Sequence, residues 1–205
     1  MKKTAPAAHR STTVRAPQEV RIIGGQWKRT PLAVPDRPGL RPTPARVRET
    51  LFNWLGQDLS GLRCIDAFAG TGALGLEAAS RGAAEVVLVE QEADLIRSLS
   101  TVTTRLKAAG VRIERGDGVA ALQKRQGQGW DLVFLDPPFG EDGNPVLVQA
   151  ALEAARQAVQ AEGEIYLEAP RLWTDEELLP LGLRVHKHGK AGVVAFHLLR
   201  PITAN

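Results

Sequence analysis

The chain has 205 residues, 43% of them hydrophobic, with a mean hydropathy of -0.15 and a formal net charge of +3. That length supports one domain with a substantial core, and no apolar run approaches the roughly 20 residues of a membrane span. The opening Met1-Lys2-Lys3 continues into Thr, Pro, Ala, His and Arg without the apolar stretch of a secretion signal, and the single cysteine, Cys64, excludes an internal disulfide. A cytoplasmic protein with a buried, inert thiol is expected.

The small net charge hides an asymmetry. Residues 1–50 hold 11 Lys/Arg against 3 Asp/Glu, whereas residues 51–205 hold 15 against 20. A basic arm on a mildly acidic body suggests a polyanionic partner gripped by the arm. Residues 1–19 mix Pro, Ala, Ser, Thr and basic residues without periodicity and read as a disordered basic tail. Residues 20–34 read as a short β-hairpin, with Arg21-Ile22-Ile23 as a strand and Gly24-Gly25 as a bend. Residues 35–44 are proline-rich loop. Thr43 is the expected N-cap, with Pro44 at the first helical position, of a helix reaching about residue 55. Its apolar face is Val47, Leu51, Trp54 and Leu55, and Arg46, Arg48 and Glu49 are polar. Residues 20–56 thus form an extension ahead of a main domain, 57–205.

From Gly61 onward, strands and helices alternate. Strands are expected at 63–68, 85–90, 111–115, 132–135 and 164–168, and helices at 73–80, 93–109, 119–125, 145–161 and 174–181. Two last strands, 184–188 and 193–199, pair across 189–192. Alternating β and α elements imply a mostly parallel sheet covered on both faces, with one antiparallel strand from the terminal hairpin.

The turn after the first of these strands, Asp66-Ala67-Phe68-Ala69-Gly70-Thr71-Gly72-Ala73-Leu74-Gly75, lets the backbone approach a ligand closely. Glu90 ends the next strand and suits two ribose hydroxyls. Asp117 follows the third and suits an adenine amino group. Gly70, Gly72 and Gly75 also spell the dinucleotide fingerprint, a rival reading. Two features oppose it. Asp66 puts a carboxylate where a pyrophosphate would sit, yet suits the ammonium of a methionine-like moiety. The fourth strand, moreover, ends in Asp136-Pro137-Pro138-Phe139, which hydride transfer does not need. Together they favour S-adenosylmethionine.

That fourth strand end is the most informative stretch. Two prolines stop the strand and remove backbone donors, so nearby carbonyls stay available as acceptors. Asp136 and a neighbouring carbonyl can accept both hydrogens of a planar amino group, and Phe139 can stack on the ring that carries it. The carboxyl ends of the strands are also where open α/β sheets bind ligands. These groups suit chemistry on the exocyclic amine of a nucleobase.

On these motifs the chain resembles the class I S-adenosylmethionine-dependent methyltransferases, and within them the RsmD family of 16S rRNA guanine-N2 methyltransferases. The most specific segments are Arg21-Ile22-Ile23-Gly24-Gly25-Gln26-Trp27-Lys28, Leu40-Arg41-Pro42-Thr43, Arg46 to Leu55, Phe68 to Ala78, and Asp136 to Phe139. The resemblance implies a Rossmann-like α/β fold, a seven-stranded sheet of order 3-2-1-4-5-7-6 with strand 7 antiparallel. It implies cofactor contacts from Asp66, Gly70, Gly72, Glu90 and Asp117. Phe68, Gly118 and Thr43 are expected beside them, with Thr43 covering the methionine end. It implies catalysis by Asp136, Pro137, Pro138 and Phe139. Arg21, Lys28, Arg29, Arg37, Arg41, Arg46 and Arg48 would contact phosphate, and Trp27 would either stack on a base or pack the hairpin onto the body. The expected partner is 16S rRNA in an assembling or assembled small subunit, bound by a monomer without metal or membrane. Amino methylation of adenine in DNA or RNA, or a non-catalytic RNA-binding assembly factor, are the alternatives.

Overall fold

The computed structural model describes residues 19–35, 42–140 and 142–203. The expected tail before Glu19, together with Arg37 and Arg41, lies outside the described residues. The chain opens with a two-stranded antiparallel hairpin, β1 (Glu19–Arg21) and β2 (Pro31–Ala33), paired in register Val20 to Leu32. Helix α1 (Ala45–Trp54) follows. From there the elements alternate as β3 (Arg63–Asp66), α2 (Gly75–Ser80), β4 (Glu85–Glu90), α3 (Ala93–Leu106), β5 (Val111–Arg115), α4 (Gly118–Gln123), β6 (Trp130–Leu135), α5 (Pro145–Ala158) and β7 (Val159–Ala169). A short α6 (Asp175–Leu178), one 3-10 turn and the hairpin β8 (Leu183–Ala191) and β9 (Val194–Pro201) complete the chain.

The main sheet has the order β5-β4-β3-β6-β7-β9-β8. Strands β3 to β7 run parallel, and β9 is antiparallel to both its neighbours. Counting sheet strands along the chain, this is 3-2-1-4-5-7-6 with the seventh antiparallel, as the resemblance implies. The order reverses between β3 and β6, so the first and fourth sheet strands lie side by side and their carboxyl ends open onto one crevice.

The sheet divides the core in two. On one face Cys64, Leu88, Phe134, Tyr166 and Phe196 pack with α2, α3, α1 and the N-terminal hairpin. On the other Ile65, Val87, Val133, Ile165 and Leu199 pack with α4, α5 and α6. Val20, Ile22, Leu32 and Val34 belong to the first core, so the hairpin's apolar side is covered by the body. Burial of this kind is worth about 1.5–3 kcal/mol per large apolar side chain. Cys64 lies in the same layer, where burial pushes its thiol up to about 12.

Boundaries differ from expectation where local geometry overrides composition. Helix α3 stops at Leu106, because Lys107 takes a left-handed conformation (φ 51) and the chain turns before Gly110. Strand β8 extends through Gly189-Lys190-Ala191, so the final turn is shorter than the glycines suggested. Gly189 pairs with Phe196 in this ladder, and only glycine fits there, because a Cβ would lie 2.5 Å from the Phe196 ring.

Candidate active site

Four strand ends converge on the crevice. Asp66 closes β3 and is almost fully buried. Its Oδ2 accepts from the Gly75 amide at 3.0 Å. Its Oδ1 has no partner, one of two such buried side-chain atoms among the described residues. A buried carboxylate oxygen left unpaired is costly. Burial, opposed by the Gly75 and Phe68 backbone amides, pushes the Asp66 carboxyl up to about 7. The loop that leads away from it is tied to the sheet: the Ala67 amide donates to the Phe134 carbonyl at 3.1 Å and the Ala69 amide to the Val89 carbonyl at 3.0 Å. Gly75 begins α2 against Leu88 with no room for a Cβ, which would lie 2.2 Å from that side chain.

Glu90 closes β4. One oxygen accepts from the Gly70 amide at 2.9 Å, and the other from the Gln91 and Glu92 amides at 2.8 and 2.9 Å. The carboxylate therefore fixes the glycine turn to the neighbouring strand. Asp117 follows β5 and caps α4, accepting from the Ala120 amide at 2.8 Å, while its other oxygen accepts from the Gln91 amide side chain at 3.3 Å. Gly118 lies directly on the Asp66 loop: a Cβ there would sit 2.2 Å from the Ala67 carbonyl and 3.2 Å from the Phe68 ring. Asp66, Glu90 and Asp117 thus stand at the ends of the neighbouring strands β3, β4 and β5, with Phe68, Gly70 and Gly72 in the loop after β3 and Gly118 opening α4.

Asp136 follows β6 directly. Pro137 is buried, Pro138 exposed, and Phe139 half-buried. The Asn144 side chain donates to the Pro138 carbonyl at 3.3 Å and so braces the motif from the start of α5. Asp136 itself has one long side-chain contact, from the Thr43 hydroxyl at 3.5 Å. Burial, then the nearby charges of Glu168 and Asp66, hold its carboxyl well above the usual carboxylate range. Thr43 was expected as a helix cap; instead Pro44 occupies the N-cap position without a side-chain cap bond, and the Thr43 hydroxyl turns toward Asp136.

The extension is built differently from expectation in one respect. Arg48 does not present its charge to a phosphate. It is 1% exposed and donates to the Thr43 carbonyl at 3.2 Å and the Arg21 carbonyl at 2.9 Å, with Glu77 at 3.4 Å. Arg48 lies one turn before Phe52, on the buried side of α1. Glu77, to which the motifs assign no role, is fully buried and accepts from the Ile23 and Gly24 amides, both at 2.7 Å, and from Arg81 at 2.9 Å. Ser80 adds to this anchor by accepting from the Trp27 amide at 2.9 Å and donating to the Gly24 carbonyl at 2.6 Å. Gly25 (φ +70) is required here, since a Cβ would lie 1.8 Å from the Ser80 carbonyl oxygen. Trp27 packs half-buried against the first core. Arg21, Lys28, Arg29 and Arg46 remain on the surface. Among the described residues, no group of His, Cys, Asp or Glu is placed to hold a metal ion, and no helix is long and apolar enough to cross a membrane.

A crevice at the switch point of this sheet, with acids at neighbouring strand ends and an Asp-Pro-Pro-Phe end, is the arrangement of a Rossmann-like α/β methyltransferase. Comparison with known proteins gives the family. The model of the family described as "Conserved hypothetical protein 95" matches residues 20–200, and the chain belongs to it; this is the RsmD family of the resemblance above. The chain is 39% identical over 184 residues to ribosomal RNA small subunit methyltransferase D of Escherichia coli, covering 88% of this chain and 89% of that one. It is 35% identical over 190 residues to the Haemophilus influenzae protein of the same name, covering 91% and 96%. The solved structure of yhhF from Escherichia coli superposes with a TM-score of 0.75 at 36% identity, over 90% of this chain and 99% of that one.

Proposed function

We propose that this methyltransferase uses S-adenosylmethionine to methylate the exocyclic N2 amine of a specific guanine in 16S rRNA of the small ribosomal subunit. One observation carries the reading: Asp136 and the Pro137–Phe139 edge stand at the end of the strand next to Asp66, with Asp66 paired to Phe134 two residues before Asp136. The nucleobase site and the donor site therefore share one crevice. The names of the relatives support rRNA as substrate.

The bound donor supplies an electrophilic methyl group on a sulfonium. In this reading the Asp66 oxygen that lacks a partner holds the donor's ammonium. The glycine turn at Gly70 and Gly72 lets the backbone approach it. Glu90 takes the ribose hydroxyls, Asp117 the adenine amine, and Phe68 and Gly118 line the adenine side. Thr43 closes the methionine end beside Asp136.

Guanine N2 is a weak nucleophile because its lone pair is delocalised into the ring. Hydrogen bonds from its two N–H groups to Asp136 and to the Pro137 carbonyl favour a pyramidal nitrogen and release that lone pair. Phe139 stacks on the base, worth about 1–3 kcal/mol. Positioning and preorganised acceptors supply most of the rate. Because an RNA duplex hides this amine in its minor groove, the target is a looped or extruded base. Arg21, Lys28, Arg29 and Arg46 offer surface contacts for phosphate.

The test is methyl transfer from labelled S-adenosylmethionine to small subunits from a strain lacking the protein, followed by nucleoside digestion. N2-methylguanosine in 16S rRNA is expected. N6-methyladenosine would overturn the substrate, and no label in rRNA despite donor binding would overturn the ribosomal reading.

A further inference from the structure

Besides Asp66, Glu90, Asp117 and Asp136, the crevice holds a fifth carboxylate that the mechanism above does not use. Glu168 lies near the end of β7 and is 3% exposed. Strands β6 and β7 run parallel with Leu135 opposite Leu167, so the next residues, Asp136 and Glu168, fall side by side. Phe134 pairs with Tyr166 one step of the pleat earlier, which sets Asp136 and Glu168 on the same face of the sheet. The two acids are not equally served. The Tyr166 hydroxyl donates to Glu168 at 2.9 Å, and Arg48 of α1 lends its field from the same side. Asp136 has only the long Thr43 contact. On the far side, β9 places the apolar Phe196 opposite Glu168. Asp66 of β3 adds a further acid to the group.

We propose that Glu168 is a positioning residue for methyl transfer: it keeps the negative charge of the pair and, standing beside Asp136, makes that carboxylate a stronger base for the amine's proton. This rests on the reading of the site given above. In the step, the nitrogen–carbon bond forms as the carbon–sulfur bond breaks, and that bond's electron pair goes to sulfur. The proton shed by nitrogen passes to Asp136 and leaves to solvent when the product departs. Two adjacent carboxylates do not ionise together without cost. The one with the better donors ionises first, here Glu168, and the other is left with the higher affinity for a proton. Both carboxyls are raised by burial. The Thr43 hydroxyl pulls both back; the Tyr166 hydroxyl and the charge of Arg48 pull back Glu168 alone, whereas the charges of Glu168 and Asp66 push Asp136 further up.

The first test needs no variant and no RNA. Carbon-13 side-chain carboxyl NMR of the intact protein should show Glu168 titrating at lower pH than Asp136; the reverse order overturns the proposal. The second is the pH profile of kcat for Glu168→Gln, which keeps an acceptor for Tyr166 and removes the charge. Its acidic limb should move to lower pH by about one unit or more, with kcat lowered about tenfold and KM for RNA little changed, and Glu168→Asp should restore the limb in part. An unmoved limb, with activity falling only as far as folding stability falls, would mean a purely structural carboxylate. If the titration order holds but no rRNA is methylated, the pair stands and the ribosomal reading fails.

Discussion

Two groups of acids, Glu77 and the pair of buried Asp66 and half-buried Asp136, stand on the same face of the sheet and are built on opposite rules. Glu77 receives two backbone amides and two arginines, at 2.7 to 3.4 Å. Asp66 has one oxygen with no partner, and Asp136 has one long contact from a hydroxyl. The first group is complete within the chain: it ties the N-terminal segment, α1 and α2 together. The second is incomplete among the described residues, and burial raises its carboxyls toward neutrality. A satisfied buried carboxylate is architecture, and an unsatisfied one is a candidate ligand site.

The largest break of this contrast comes from the complete group. Glu77→Ala leaves Arg48 buried without its anion and two backbone donors unpaired. Removing one partner of a buried pair costs roughly 3–5 kcal/mol, and denaturant unfolding should show a destabilisation of that size. Asp136→Ala, in contrast, removes a carboxylate crowded by Glu168 and Asp66. Methyl transfer should fall by roughly 10²–10³-fold, the scale of removing one preorganised hydrogen-bonding group, while the unfolding midpoint stays level or rises. A destabilisation comparable to that of Glu77→Ala would erase the distinction between the two groups.

The legible part of the molecule follows the same division. Periodicity and glycine placement made the mostly parallel sheet readable, because alternating strands and helices have few ways to connect, and the family resemblance supplied the strand order. The acids at strand ends were readable because their position in the chain marks their position in the crevice. Arg48 and Glu77 were not read, because each is a charged residue whose partner lies far away in sequence, 29 residues for this pair. A signal existed: Arg48 shares a helical stripe with Phe52, and Glu77 is the one charged residue in the apolar segment Gly75–Ser80. The resemblance placed Arg48 with the phosphate contacts, whereas tertiary burial commits it to Glu77. The register of Asp136 beside Glu168 was also out of reach, since only strand pairing sets which residues abut.

A smaller effect sharpens the contrast at Asp66, and its sign is fixed. With its carboxyl pushed up to about 7, Asp66 is largely protonated at pH 6, and a bound ammonium favours the ionised form. Donor binding should therefore release protons near neutrality, and affinity should strengthen as pH rises toward and through 7, by at most tenfold per pH unit, then level off. Calorimetry of donor binding in two buffers of different ionisation enthalpy measures the released protons directly. In Asp66→Asn the proton release and the pH slope around 7 should both vanish. A slope that persists in that variant would assign the proton to another group and leave the unpaired oxygen of Asp66 without a role in binding.

The smallest expected effect lies outside both groups, at the basic surface of the extension, and it separates the arginine held in the structure from the cations left free at the surface. Lys28→Ala and Arg46→Ala remove exposed charges. Each should lower the steepness of the salt dependence of RNA binding by roughly 0.7–0.9 for every phosphate it no longer neutralises and leave the unfolding free energy within about 0.5 kcal/mol of the parent. Arg48→Ala should do the reverse, with a large drop in stability. In Arg48→Ala protein held folded at low temperature, the salt slope should match the parent. Filter binding across a salt series, run beside denaturant unfolding for all three variants, reads both quantities. If Arg48→Ala flattened the salt slope as Lys28→Ala does, its guanidinium would have to reach RNA from beneath the Arg21 backbone, and the assignment of Arg48 to the Glu77 anchor would fail.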